Sequence, residues 1–237
     1  MNRSPEVARE ACELARTISH AFSLEHAVDF AAFLSHYCRL GAETQAKGEV
    51  EMAIATEQGF PFWHALGTLH KGAGMLLQGR REEALSLLLK GFAAFRATGA
   101  EVRVPSYLGM LGDAYTQLAR FEDAHRVLDE GLAVAEKNDD RCHEAELHRL
   151  RGELLLAESP DRLADVEGCF RRAIETARRQ QSKGWGLRAT VSLARLWQRQ
   201  GRRGDARAAL AAVYGTYTEG FTTPDLVDAK GLLESLA

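Results

Sequence analysis

The chain has 237 residues, of which 46% are hydrophobic and 27% charged, with a formal net charge of −3. This composition supports a sizeable core and argues against intrinsic disorder, and the near balance of charge gives no bulk attraction to nucleic acid or membrane. Five prolines suit long helices, and no 18-residue apolar run marks a membrane span; the scattered Cys12, Cys38, Cys142 and Cys169 form no C-x-x-C pair and read as reduced thiols in a cytoplasmic protein.

In chain order, residues 4–20 read as a lone helix, with Ser4 as its cap and Pro5 at its first position. Helix–turn–helix units are expected over 23–59, 61–99, 105–138, 143–181 and 185–217, followed by a closing helix over 223–236 that starts at Thr223 and Pro224. No segment alternates as a strand does. No Gly/Ser linker divides the chain, so one domain over 1–237 is expected, with the two lone helices as atypical end units.

Self-comparison supports this division. Gly72, Ala84, Leu88 and Gly91 match Gly112, Ala124, Leu128 and Gly131 at a shift of 40. Gly152, Val166, Phe170 and Ala173 repeat the pattern if Pro160 and Asp161 lengthen a turn, and Ala194, Trp197, Gly201, Ala206, Leu210 and Val213 repeat it again. Upstream, Leu34, Gly41, Ala46 and Ala53 are assigned to the same places at a shift of 38. The small residues are expected where helix A of a unit crosses helix B, because a larger side chain would hold the backbones apart. Gly41, Gly79 and Gly201 are expected as left-handed caps after helix A.

The pattern resembles the tetratricopeptide (TPR) repeat, most fully at Leu108, Leu111, Gly112, Tyr115, Phe121, Ala124 and Leu128. That resemblance implies an all-α, right-handed superhelix, an α-solenoid of about five units, each longer than the usual repeat of about 34 residues. Four stretches, 56–63, 94–115, 144–161 and 213–236, resemble a narrower family: the C-terminal, maltose-regulator-like repeat region of bacterial signalling proteins in which a class III nucleotide cyclase precedes an AAA-type ATPase. The resemblance implies a sensor or docking role. The family's catalytic chemistry does not carry over, because the chain has no G-x-x-x-x-G-K-[ST] loop and no strands for a cyclase's metal-binding aspartates.

Other candidates for chemistry are weak. His143, Glu144 and His148 miss the H-E-x-x-H spacing and read as polar helix surface, even with Cys142 beside them. His64 and His70 read as partly buried core histidines. His36 and Cys38, two apart on a helix, do not face each other. Trp185 and Trp197 read as packing residues. From Arg171 to Arg207 there are eleven Lys or Arg and two acids, Glu175 and Asp205, a segment of +9 that reads as a solvated face or a seam for a neighbouring copy.

The residues expected to line a concave face are Ala31, Ser35, Cys38, Leu69, Ala73 and Leu76 in the first two units, Gly109, Asp113 and Thr116 in the third, and Arg149, Glu153, Leu156, Val191, Arg195 and Gln198 in the last two. Arg199 joins this charged end. The early part is apolar, and it is either an open groove or a filled core. A carboxylate clamp for peptide tails would need Lys, Asn and Arg where these positions are apolar. The expected function is a non-catalytic scaffold that binds a protein or peptide, a second copy of the chain, or a cyclase or ATPase in the same or another chain, without cofactor, metal, membrane or nucleic acid. The alternative is a small-molecule sensor using the apolar groove.

Overall fold

The computed structural model describes residues 4–237, with side chains from residue 7. Among the described residues the regular structure is entirely helical: α1 (Ser4–Thr17), α2 (Ala21–Tyr37), α3 (Gly41–Gln58), α4 (Pro61–Leu77), α5 (Arg81–Ala97), α6 (Val104–Gln117), α7 (Phe121–Lys137), α8 (Glu144–Glu158), α9 (Leu163–Arg179), α10 (Lys183–Arg199), α11 (Arg203–Tyr214) and α12 (Pro224–Ser235). None of these helices is long and apolar enough to cross a membrane. The cap expected of Ser4 and the role of Pro5 rest on side chains outside those described. Proline sits in the first turn of α4, α6 and α12, and acids occupy the first turn of α5, α7 and α8, where the helix dipole favours them. Thr223 makes no side-chain cap; its hydroxyl instead donates to the Gly220 carbonyl at 2.7 Å.

Where a single domain is expected, backbone contacts group the chain into two compact units, Met1–Val102 and Arg103–Ala237. In a repeat array each helix pair meets only its neighbours, so contacts thin out between pairs. The first unit carries α1–α5 and the second α6–α12.

Short turns join the helices into antiparallel neighbours, and left-handed residues mark the turns after α1 to α7 and after α9 to α11, but not the one after α8. Arg39, Gly79 and Ala119, with φ of 60°, 81° and 55°, follow α2, α4 and α6 at steps of 40 residues. Ser19, Gly59, Gly99 and Asp139 follow α1, α3, α5 and α7 at the same step. This ladder corrects the first unit's register from 38 to 40. The residue after α2 in the left-handed region is Arg39, while Gly41 is the first residue of α3. Ala32, Thr44, Gly48 and Glu51 therefore stand where Gly72, Ala84, Leu88 and Gly91 stand, in place of Leu34, Ala46 and Ala53.

In the second unit, Gly112 faces Leu128, whose Cδ2 would lie 2.5 Å from an added Cβ, and Gly152 faces the ring of Phe170 as closely. Ala84 in the first unit, and Ala124, Ala173, Ala194 and Ala206 in the second, are wholly buried, and Gly131 lies against Leu147 and Leu108. The tightest crossing was missed in the sequence. It lies between α3 and α4, where Gly41 and Gly48 meet Gly67 and Gly74. A Cβ on Gly48 would lie 2.7 Å from the Gly67 carbonyl oxygen, and one on Gly74 would lie 2.7 Å from that of Gly41. These are backbone atoms, which cannot swing aside as a side chain does.

Gly74→Ala should therefore lower stability by about 1–3 kcal/mol by overpacking, even though alanine is the better helix former. Gly168→Ala, in α9 with open space around it, should raise stability by about 0.5–1 kcal/mol. Urea melts of the two variants check the pair; equal stability of Gly74→Ala and the parent would refute the backbone contact.

Candidate functional site

The sequence-derived face divides between the two units. In the first, Leu69 and Ala73 are wholly buried and Leu76 is 4% exposed. These side chains are interior, so of the two alternatives left by the sequence, open groove or filled core, this strip is filled core; tight α3–α4 and α4–α5 packing leaves no room beside α4. The register correction also replaces Ala31, Ser35 and Cys38 with Asp29, Phe33 and His36 as the equivalents of Leu69, Ala73 and Leu76. Ala31 and Ser35 are buried, with the Ser35 hydroxyl accepting from Lys47 Nζ at 2.8 Å.

In the second unit, the expected residues lie along a ladder of paired charges. Arg149 grips Glu146 with both arms, at 2.7 and 2.8 Å, and reaches Glu153 at 3.2 Å. Ser192 of α10 donates to Glu153 at 2.6 Å. Arg188, stacked on Trp185 at 4.9 Å, pairs with Asp225 of α12 at 2.8 Å. Arg195 pairs with Asp228 at 2.5 Å, and Gln198 donates to Ser235 at 3.2 Å. Burial pushes the Asp113 carboxyl up, partly offset by the Gln117 hydrogen bond and by Arg149. Burial opposes ionisation of Glu146 too, but Arg149 and Arg188 hold it below the usual range. Arg199 is exposed. Glu146, Arg188, Ser192, Asp225 and Asp228 were not anticipated; Glu146, three residues before Arg149 on one helix, was the readable member. Much of the basic segment is paired in this way, Arg202 with Glu167 and Asp205 included.

His143 and His148 correct the expectation of polar surface. His148 is buried, and His143 packs edge-on against Trp185, whose indole donates to the Cys142 carbonyl at 3.0 Å. Burial holds both imidazoles neutral, pulling each pKa down to about 4.

The first unit contains two further features. One is an open apolar groove of ≈ 840 Å³ between α1 and α2, lined by Val7, Leu14, Ile18, His26, Phe30 and Phe33 among others. Val7, Leu14, Ile18 and Phe30 are each more than half exposed. The other is a polar chamber. Glu25 and Asp29 of α2, Glu51 of α3 and His70 of α4 are all 0% exposed. His70 Nδ1 lies 2.9 Å from Glu51 Oε2, and Nε2 lies 3.9 Å from Asp29 Oδ1. Burial, then the charges of Glu51 and Asp29, raise the Glu25 pKa to about 8. His70 was expected to be a partly buried core residue, and the three acids were not singled out. Their signal was periodic: Glu25, Val28, Asp29 and Ala32 form the buried stripe of α2, and Thr44, Gly48, Glu51 and Ala55 that of α3.

Comparison with solved structures places this architecture. The aspartyl phosphate phosphatase F of Bacillus subtilis superposes with a TM-score of 0.65 at 15% identity, over 89% of this chain and 54% of that one. The fold is TPR-like. Two structures of nearly identical TPR-like repeats from Podosopora anserina align over 89% of this chain and 94% and 95% of theirs, at 18% identity and TM-scores of 0.49 and 0.47. The chain thus spans about half the length of the phosphatase it resembles. No family model and no curated protein matches the sequence.

The two neutral histidines give the TPR-like repeats a predictable acid response. Their folded pKa values lie below the unfolded value of about 6.5, so the unfolded chain takes up protons first as pH falls. Stability should be intact above pH 6.5 and decline from there toward pH 4, by about 1–2 kcal/mol for each histidine at pH 5. Melts across that range check it, with His148→Gln expected to flatten the slope; an unchanged slope would refute the assignment.

Proposed function

We propose that the chain is a non-catalytic protein-docking scaffold whose principal contact surface is the apolar groove between α1 and α2. The observation that carries this reading is the exposure of Val7, Leu14, Ile18 and Phe30 around one concavity. Isolated exposed apolar residues are ordinary on a folded surface, but a contiguous patch is the mark of an interaction site. A groove with exposed apolar walls on two helices has the form that receives an amphipathic helix, presented by a partner as apolar anchors at helical spacing.

The charged row of the second unit, Asp113, Arg149, Glu153, Arg195, Gln198 and Arg199, is the second contact surface in this reading. Its alternating signs select partners by charge and set orientation more than affinity. The resemblance to repeats that accompany bacterial nucleotide cyclases and AAA ATPases supports such proteins as the partner class. The small-molecule alternative loses its groove, since Leu69, Ala73 and Leu76 are interior.

Affinity capture with the intact chain tests the reading. Proteins retained by the parent should be lost with Leu14→Lys combined with Phe30→Glu, and weakened about tenfold or more by Arg195→Glu combined with Arg199→Glu, with helical content unchanged. An identical retained set for the parent and the Leu14/Phe30 variant would overturn the groove assignment.

A further inference from the structure

α1 carries one more apolar face than its packing within the chain uses. Its inner stripe is Ala8, Cys12 and Ala15. Cys12 and Ala15 are buried, and Ala8 and Cys12 pack with Val28 and Ala31 of α2. One step around the same helix runs a second stripe, Val7, Ala11, Leu14 and Ile18, and all four are exposed. A surface helix needs a single apolar stripe to hold it to its neighbours, with polar residues around the rest. A second one, contiguous across the groove with the wall of α2, is the mark of a surface that another molecule covers.

The spacing of the outer stripe narrows the occupant. Its steps are four, three and four residues, the alternation by which one helix seats in the seam of another. The α2 wall of the groove has the same rhythm, with His26, Phe30, Phe33 and Tyr37 at steps of four, three and four. One chain therefore holds both an amphipathic helix with anchors at seam spacing and a groove that accepts such a helix. The stripe is also close to its own complement. A two-fold axis passing between Cys12 and Glu13 runs two copies of α1 antiparallel, sets Val7 against Ile18 of the second copy, and sets Ala11 against Leu14. The small Ala11 leaves room for Leu14 near the centre, so the seam closes without a void. Charge does not oppose this pairing. At 100° per residue, the stripe is flanked by Ala8 and Ala15 on one side and by Glu10 and Thr17 on the other. In the antiparallel pair Glu10 then lies beside Thr17 of the second copy, and no like charges meet at the seam. Arg9 and Glu13, on the far side of α1, are already paired with each other at 3.2 Å.

We propose that the occupant of this groove is α1 of a second copy of the chain, a step that rests on the reading of the groove as a docking surface. Two chains associate about a two-fold axis. Each lays Val7, Ala11, Leu14 and Ile18 along the same four residues of the other, beside the Phe30 and Phe33 wall. A helix offered by a different protein competes for the same face, so self-association sets the affinity that such a partner must exceed.

Analytical ultracentrifugation of the full chain over a wide range of concentrations tests this. The parent should sediment as a dimer that dissociates on dilution. Ala11→Glu and Leu14→Lys should each sediment as a monomer at concentrations where the parent is dimeric, with helical content unchanged, because each puts an unpaired charge into the seam. Mixing the two variants should restore a dimer, since the introduced charges then face each other as an opposite pair; a folding defect in either variant would not be repaired by mixing. Arg16→Gln, on the far side of α1, should leave the dimer intact. A parent that stays monomeric at every concentration, a dimer that survives Leu14→Lys, or variants that do not recover on mixing would overturn the proposal. The docking reading fails separately. If the parent is monomeric yet captures proteins that Leu14→Lys combined with Phe30→Glu loses, the groove stands as a docking surface and the second copy is ruled out as its occupant.

Discussion

The direct meeting of the α3 and α4 backbones governs the first unit. Gly41 and Gly48 on one helix and Gly67 and Gly74 on the other are each spaced by seven residues, two turns of a helix, so each pair falls on one face. With no side chains between the axes, the helices approach until carbonyls and amides limit them. That approach seals α4, brings Glu51 up to His70, and leaves Leu69, Ala73 and Leu76 no route to the surface. At Gly112 the close contact is instead with the side chain of Leu128, not with backbone.

Much of this architecture could be read from the sequence, and the failures have physical causes. Helix pairs were legible because Gly72, Gly112 and Gly152 recur against large partners, a pattern set by steric exclusion alone. The first unit's register was misread because the search followed glycine as the marker of a left-handed turn. Arg39 and Ala119 adopt the same conformation, which costs a residue with a Cβ about 1–2 kcal/mol and leaves no compositional trace. Slipping that register by two turned Asp29 from an inward position into one with no assigned role. The groove between α1 and α2 was missed for a different reason: an apolar residue exposed at a groove and one buried in a core are the same letter, and only the neighbouring helices distinguish them.

The two units handle charge in opposite ways. In the second, Glu146, Glu153, Asp225 and Asp228 each have an arginine at hydrogen-bond distance, bidentate at Arg149 and Glu146, and Asp113 accepts from the Gln117 amide, while partial exposure lets water share the cost. The ladder contributes orientation and sign pattern more than net stability. In the first, Glu25, Asp29, Glu51 and His70 are closed off from water and acids outnumber bases. Burial there, with the neighbouring Glu51 and Asp29, favours the neutral form of the Glu25 carboxyl instead.

The glycine contact between α3 and α4 also determines where the first unit can yield. Packed side chains absorb small displacements by changing rotamer, but two touching backbones have no such compliance, so α3 and α4 must translate together. The softer seam is the one between α1 and α2, where Leu14, Phe30 and Phe33 have torsional freedom beside open space. Adaptability is thereby concentrated at the groove, whose walls can mould themselves to differently shaped guests beside a stiff pair of helices.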